Sequence, residues 1–192
     1  MKLRAVVERA IVILAYAAIL ACQGQGQAEQ KSSAIRGGAA RVLHRYVQLR
    51  LQDADWKEYS QLITWSDEPS WDCKWVVAKH EVGVPVEKER EVVIPVVYSR
   101  LGLFCYDFDF RPDESVVTIK YELVRHQNGW QVNAPIPDYP DIGADVVIKS
   151  MNAIAMNTNE TPKRRAEADA AIRNISGALK QETTTSPKLR AK

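Results

Sequence analysis

The sequence predicts an α+β chain in which N-terminal helices pack on a curved, cone-like antiparallel sheet and extra helices follow at the C-terminus. Three observations carry that expectation. Apolar residues between Ala39 and Asp53 recur at helical spacing. The stretch from Trp75 to Ala134 is rich in β-branched and aromatic residues that alternate between two faces. Beyond Pro135, Pro137 and Pro140 the helical period returns. The chain has 192 residues, 46% hydrophobic and 26% charged. Those values suit one globular domain with appendages and exclude a wholly disordered chain.

The first 21 residues read as an address. Lys2, Arg4 and Arg9 precede an uncharged run from Ala10 to Ala21. A basic start and a short apolar run are the layout of a secretory signal. Two cleavage sites compete. Ile19-Leu20-Ala21-Cys22 resembles a bacterial lipobox, with lipidation at Cys22 and residues 22–35 as a flexible tether. Gly26-Gln27-Ala28 offers an ordinary signal-peptidase site with cleavage after residue 28. The lipoprotein reading is preferred because its cysteine directly follows the apolar run. Both readings place the mature chain outside the cytosol, in the periplasm or lipid-anchored to the bacterial envelope.

Export changes the charge arithmetic. The signal holds three basic residues and one acid, so the formal net charge of +2 belongs to it and the remainder is neutral. From residue 157 onward eight basic residues face four acids, which leaves the body at about −4. Such a body lacks the broad basic footprint of a phosphate-backbone binder, so nucleic acid is not an expected partner.

In the first helix Val42, Leu43, Tyr46, Val47 and Leu49 share one side, while Arg41, Arg45, Gln48 and Gln52 fall opposite. His44 lies on the polar side. Asp55-Trp56-Lys57-Glu58 has a capping-box pattern and opens a second helix from Trp56 to about Thr64. Strands are expected over Trp75 to Val84, Glu91 to Tyr98, Leu103 to Phe110 and Val116 to Arg125. Phe104, Tyr106, Phe108 and Phe110 should point one way, and Cys105, Asp107 and Asp109 the other. Arg111-Pro112-Asp113-Glu114 reads as a turn. Asn128-Gly129 reads as a two-residue hairpin turn, pairing Leu123 with Ala134 and Arg125 with Val132.

Prolines then end the sheet, and Asp141 is placed to cap an additional helix over 141–156. Thr161-Pro162 supplies an N-cap and a first-turn proline for a helix over Lys163 to Lys180. Its narrow stripe of Ala168, Ile172, Ile175 and Leu179 suits a marginal helix or one docked on a partner or a second copy. Residues 181–192 read as disordered.

Two helices feeding a curved antiparallel meander resemble the nuclear transport factor 2-like superfamily, the α+β cone shared with ketosteroid isomerase and scytalone dehydratase; cystatin-like folds look similar. The residues that carry the resemblance are Tyr46, Leu49, Asp55-Trp56 and Tyr59 in the helices. With them go Val116 to Tyr121 and Asn128-Gly129-Trp130-Gln131-Val132 in the closing hairpin. The resemblance covers about residues 36–137, within a domain placed at 36–140. It implies a pocket between the helices and the concave sheet. Tyr46, Trp56, Tyr59, Tyr98, Phe104, Tyr106, Tyr121 and Trp130 are its expected lining. It implies no particular reaction, since such folds host enzymes and binding proteins alike.

Candidate chemistry is sparse. With Cys22 lipidated or removed, Cys73 and Cys105 remain as an even pair for an oxidising compartment. A hairpin of the first two strands centred near residue 89 pairs positions whose numbers sum to 178. It sets Cys73 opposite Cys105 if the second strand continues through Ser99-Arg100-Leu101-Gly102 by a bulge. A Cys73–Cys105 disulfide is therefore expected. Asp107, Asp109, Asp113 and Glu114 lack the spacing of a calcium loop and read as solvent-facing acids. An isomerase-type site needs an inward acid beside a tyrosine, and the inward positions named above supply tyrosines but no acid. A dehydratase-type site wants inward histidines, whereas His80 and His126 are expected near exposed strand ends. Nucleophile elbows, phosphate loops, dinucleotide fingerprints and thiol or histidine metal motifs are missing from the sequence. No catalytic residue, cofactor or metal is assigned. The leading expectation is an exported non-enzymatic domain that binds a small apolar ligand or a protein. A small-molecule isomerase or dehydratase, and an interaction module acting through the C-terminal helix, are the alternatives.

Overall fold

The computed structural model describes residues 35–67, 71–127 and 129–185. The signal, Cys22, nearly all of the tether, Asn128 and the last seven residues lie outside them. The chain divides into two units, residues 1–38 and 39–192. The second holds the first helix from Ala39 onward and every later element.

Helix α1 (35–51) forms on the expected stripe. Leu43, Tyr46, Val47 and Leu49 are all buried, and His44 is exposed. The helix stops at Asp53, which takes the left-handed conformation (φ 55°). The Ala54 N–H bonds the Leu49 carbonyl at 3.0 Å and the Asp53 N–H that of Arg50 at 3.1 Å. That is the Schellman arrangement, here with Asp in the place glycine usually holds. Helix α2 (Trp56–Tyr59) passes into a 3₁₀ turn, Ser60–Leu62. No side-chain cap forms at Asp55. Its backbone carbonyl instead takes the Glu58 N–H at 2.9 Å, so the expected capping box is replaced by a plain turn.

Six strands follow: β1 (Cys73–Val82), β2 (Val86–Lys88), β3 (Glu91–Cys105), β4 (Phe110–His126), β5 (Gly129–Ala134) and β6 (Asp141–Gly143). They make one curled half-barrel sheet in the order β5-β4-β3-β1-β6, with β2 also paired to β3. The β1–β3 register is the expected one: Cys73 faces Cys105, His80 faces Tyr98, and Val82 faces Val96. Irregularities beside Val77 and between Arg100 and Gly102 carry β3 through the predicted bulge. Gly102 (φ 154°) sits there because a Cβ would lie 2.2 Å from the Arg111 carbonyl oxygen. Only glycine tolerates that approach and that φ.

Four local expectations are corrected. Arg111-Pro112-Asp113-Glu114 is not a turn but the start of β4, with Pro112 opposite Gly102 at the irregular position. The turn lies at Tyr106-Asp107-Phe108. The Phe108 N–H bonds Cys105 O and the Cys105 N–H bonds Asp109 O, both at 3.0 Å, with Phe108 left-handed (φ 64°). This is a three-residue hairpin loop. Asp107 and Asp109 therefore share no strand face. Asp107 Oδ1 accepts the Asp109 N–H at 3.3 Å, and Asp109 pairs with Arg111 at 2.6 Å. The β4–β5 hairpin pairs Leu123 with Val132 and His126 with Gly129. That is two residues from the expected register, and the even shift keeps the same side chains inward. Finally, the prolines interrupt the sheet without ending it. Asp141 belongs to β6, parallel to β1, and the helix begins only at Ala144.

The sheet is covered on both faces. One face carries Tyr98, Tyr121 and His80 under α1. The other carries Val76, Leu101, Phe110 and Ile142, buried with Val147 and Met151 of α3 (Ala144–Met156) and Ala168, Ala171 and Ile175 of α4 (Pro162–Thr185). The stripe of α4 is thus occupied within its own chain, which corrects the expectation of a marginal, partner-docked helix. Its buried alanines pack in one cluster with α3, and Lys79 of β1 pairs with Glu182 near its end. Thr161 caps it as expected, its Oγ1 accepting the Arg164 N–H at 3.2 Å. Residues 181–185, expected to be disordered, are helical.

Candidate functional site

The expected single pocket resolves into two places on opposite faces of the sheet. The first, under α1, is a buried polar centre. The Tyr46 ring packs edge-on against Tyr59 and Tyr121, both at 6.0 Å between centroids, and against Trp65 at 6.3 Å. Half-buried Trp56 packs on Tyr59 at 5.4 Å. The Tyr98 and Tyr121 hydroxyls share a hydrogen bond of 3.1 Å. Burial raises the pKa of both phenols, and the same burial raises Tyr46 to about 12 against the pull of Arg50.

This centre also holds an acid that strand alternation did not reveal. Asp141, 6% exposed, takes two hydrogen bonds on one carboxylate oxygen, from Arg100 Nε at 3.0 Å and Nη2 at 2.8 Å. Burial raises its pKa; the charge and hydrogen bonds of Arg100 work the other way, as does the charge of Arg50. The Arg100 guanidinium lies 4.7 Å from the Trp75 ring centre and 6.0 Å from that of Tyr98. Arg50 donates to the Tyr59 hydroxyl and sits 4.9 and 5.0 Å from the Tyr59 and Trp71 rings. His80, expected to be exposed near a strand end, is half-buried within β1 and stacked on Tyr98 at 6.4 Å. That burial, and then the charge of His44, lower its pKa. His126 is exposed at the end of β4 as expected. A basic residue inside the apolar run Tyr98–Leu103 was the one sequence signal that could have pointed to a buried acid.

The second place is a cleft of about 230 Å³ on the α3 face, at the disulfide end of the sheet. Buried Ile142, Val147, Met151 and Cys105 form its inner wall. Trp71, Phe104, Tyr106 and Phe108 bring four aromatic rings to it, and Tyr106, 73% exposed, stands on its rim. Asp53, Asp72, Lys74 and Ser150 supply the polar lining, and Lys74 is ion-paired with Asp53. The Cys73–Cys105 bond closes the end of the β1–β3 hairpin beside it. The Tyr106 N–H bonds the Asp72 carbonyl at 3.1 Å, which anchors the loop. Phe108 lines the cleft from a left-handed backbone that a bulky side chain rarely adopts. Arg164 of α4 lies 5.2 Å over its ring.

The eight residues expected to line one pocket therefore separate. Tyr46, Tyr59, Tyr98 and Tyr121 meet in the buried centre, with Trp56 at its edge. Phe104 and Tyr106 belong to the cleft on the opposite face: the irregularity between Arg100 and Gly102 breaks the alternation of β3 between Tyr98 and Phe104, and Tyr106 lies in the 106–108 loop. Trp130 stands opposite Arg125 at the hairpin end of β5, half-buried and apart from both groups. Trp71, Phe108 and the α3 residues of the cleft were not assigned to any pocket by the sequence.

No family model, curated protein or solved structure matches the chain.

Proposed function

We propose that the protein is an exported domain of the nuclear transport factor 2-like kind that binds a small apolar ligand in the α3-face cleft. Export is supported by the N-terminal pattern and by the disulfide, a bond that persists in oxidising compartments. Anchoring through Cys22 would tie the chain to a membrane. Kinship with the cone-like folds is supported by α1 and α2 lying against a tyrosine-rich face of a curled antiparallel sheet.

The observation that carries the ligand reading is the composition of the cleft. Apolar side chains dominate, four aromatic rings converge, and one ring stands out into solvent. Its volume is below the ~300 Å³ at which pockets for drug-sized ligands begin, so the occupant is a short chain or a single ring, with no room for a fused-ring steroid. The Asp141 centre supplies the inward acid that an isomerase would require. Yet Arg100 already neutralises that carboxylate with two hydrogen bonds. This favours a structural role for the pair and the cleft as the binding place.

Native mass spectrometry of the protein isolated from its own source is expected to find a low-mass apolar adduct on the wild type. Ser150→Trp, at an exposed position of α3 on the cleft lining, should lose it without loss of fold. An adduct retained by Ser150→Trp, or a wild type without one, contradicts the proposal.

A further inference from the structure

The rim of the cleft carries more information than its apolar wall. Of its charged lining residues, Lys74 is neutralised by Asp53. Asp72 is exposed, and its carboxylate has no ion-pair partner among the described residues. Among the lining residues themselves the unbalanced charge is thus one carboxylate. Around it stand Trp71, Tyr106, Phe108 and Phe104, whose ring faces attract cations. The same rings show that preference within the chain: Arg50 lies 5.0 Å from the Trp71 ring centre and Arg164 5.2 Å from that of Phe108. Of these two cations behind the rings, Arg164 is paired with Glu160 at 3.4 Å, and Arg50 donates to the Tyr59 hydroxyl and acts on Asp141. An apolar pocket edged by aromatic faces and one free carboxylate complements an apolar body with a positive head, and repels one with a negative head.

We propose, resting on the reading of the cleft as a ligand site, that its ligand is a small organic cation: an alkyl or aryl amine or quaternary ammonium. Its apolar part lies against Ile142, Val147 and Met151, and its charged head lies among Trp71, Tyr106 and Asp72. The head stays at the rim, where water still reaches it. A buried ammonium would need a buried counter-charge, and the described lining of the inner wall supplies none.

The test compares three probes of one chain length on the full protein by calorimetry below their micelle concentrations: octyltrimethylammonium, 1-octanol and octyl sulfate. The ammonium is expected to bind about ten-fold or more tightly than the sulfate, with the alcohol between them, and the gap should narrow as salt is raised. Asp72→Asn should collapse the gap by weakening the ammonium and relieving the sulfate. Equal or tighter binding of the sulfate overturns the proposal, as does a gap that survives Asp72→Asn. If 1-octanol binds and the ammonium does not, the cleft stands as a ligand site and the cation is wrong. If none of the three binds, the cleft is no ligand site and the organic cation falls with it.

Discussion

Arg100→Met is expected to lower stability by about 3–5 kcal/mol at neutral pH, the usual cost of stranding one partner of a buried ion pair. The Arg100 side chain is 11% exposed and that of Asp141 6%, so water cannot replace the lost hydrogen bonds. The pH dependence separates this cause from lost packing. Asp141 already has a raised pKa through burial, and Arg100 is the first influence restraining it. Removing Arg100 raises it further. A carboxyl that binds its proton more tightly when folded lowers stability once the pH exceeds its unfolded value, and fully so above its folded value. The deficit of Arg100→Met should therefore be largest near about pH 7 and shrink toward about pH 4.5. Urea unfolding at the two pH values checks this. A deficit that stays constant or grows on acidification would show that Asp141 is not the stranded group.

Replacing both Cys73 and Cys105 by alanine is the second large effect. The bridge spans a sequence separation of 32 residues. A loop of that length restricts the unfolded chain by about 3–4 kcal/mol on the loop-entropy model. The loss should appear mainly as a lower denaturant midpoint. It should also loosen the end of the sheet nearest the cleft, where Cys105 precedes the 106–108 loop. Faster amide exchange at Tyr106 and Phe108 than at Val96 or Ile119 is the expected local signature. A double variant as stable as the wild type, or one loosened evenly, would contradict it.

Legibility in the sequence followed the range of the physics. The amphipathic helix at Leu43–Leu49, the strands expected over 75–84, 91–98 and 116–125, and the Thr161-Pro162 cap are local, and all are found; the alternation expected over 103–110 is broken by the 106–108 loop. The β1–β3 register was readable because two cysteines and a centred hairpin agree on one sum. What failed was set by distant residues. Pro112 and its neighbours have turn composition, yet Pro112 sits in β4 where the bulge around Gly102 spares the missing N–H. Phe108 occupies a left-handed position where glycine or asparagine is the usual signal. Three residues between prolines and a helix give no hint of a parallel strand, so β6 and the burial of Asp141 were invisible. The division of the aromatic residues follows from the bulge between Arg100 and Gly102, from the 106–108 loop, and from α3 and α4 covering the second face.

The separation of a neutralised polar centre from an open apolar cleft is tested most directly by methyl NMR of the full chain titrated with 1-octanol. Saturable shifts are expected at Ile142, Val146, Val147 and Ile154, with Leu43, Val47 and Ile94 unmoved. Saturable shifts at Leu43, Val47 and Ile94 instead would move the site to the Asp141 centre and contradict the account; so would their absence throughout.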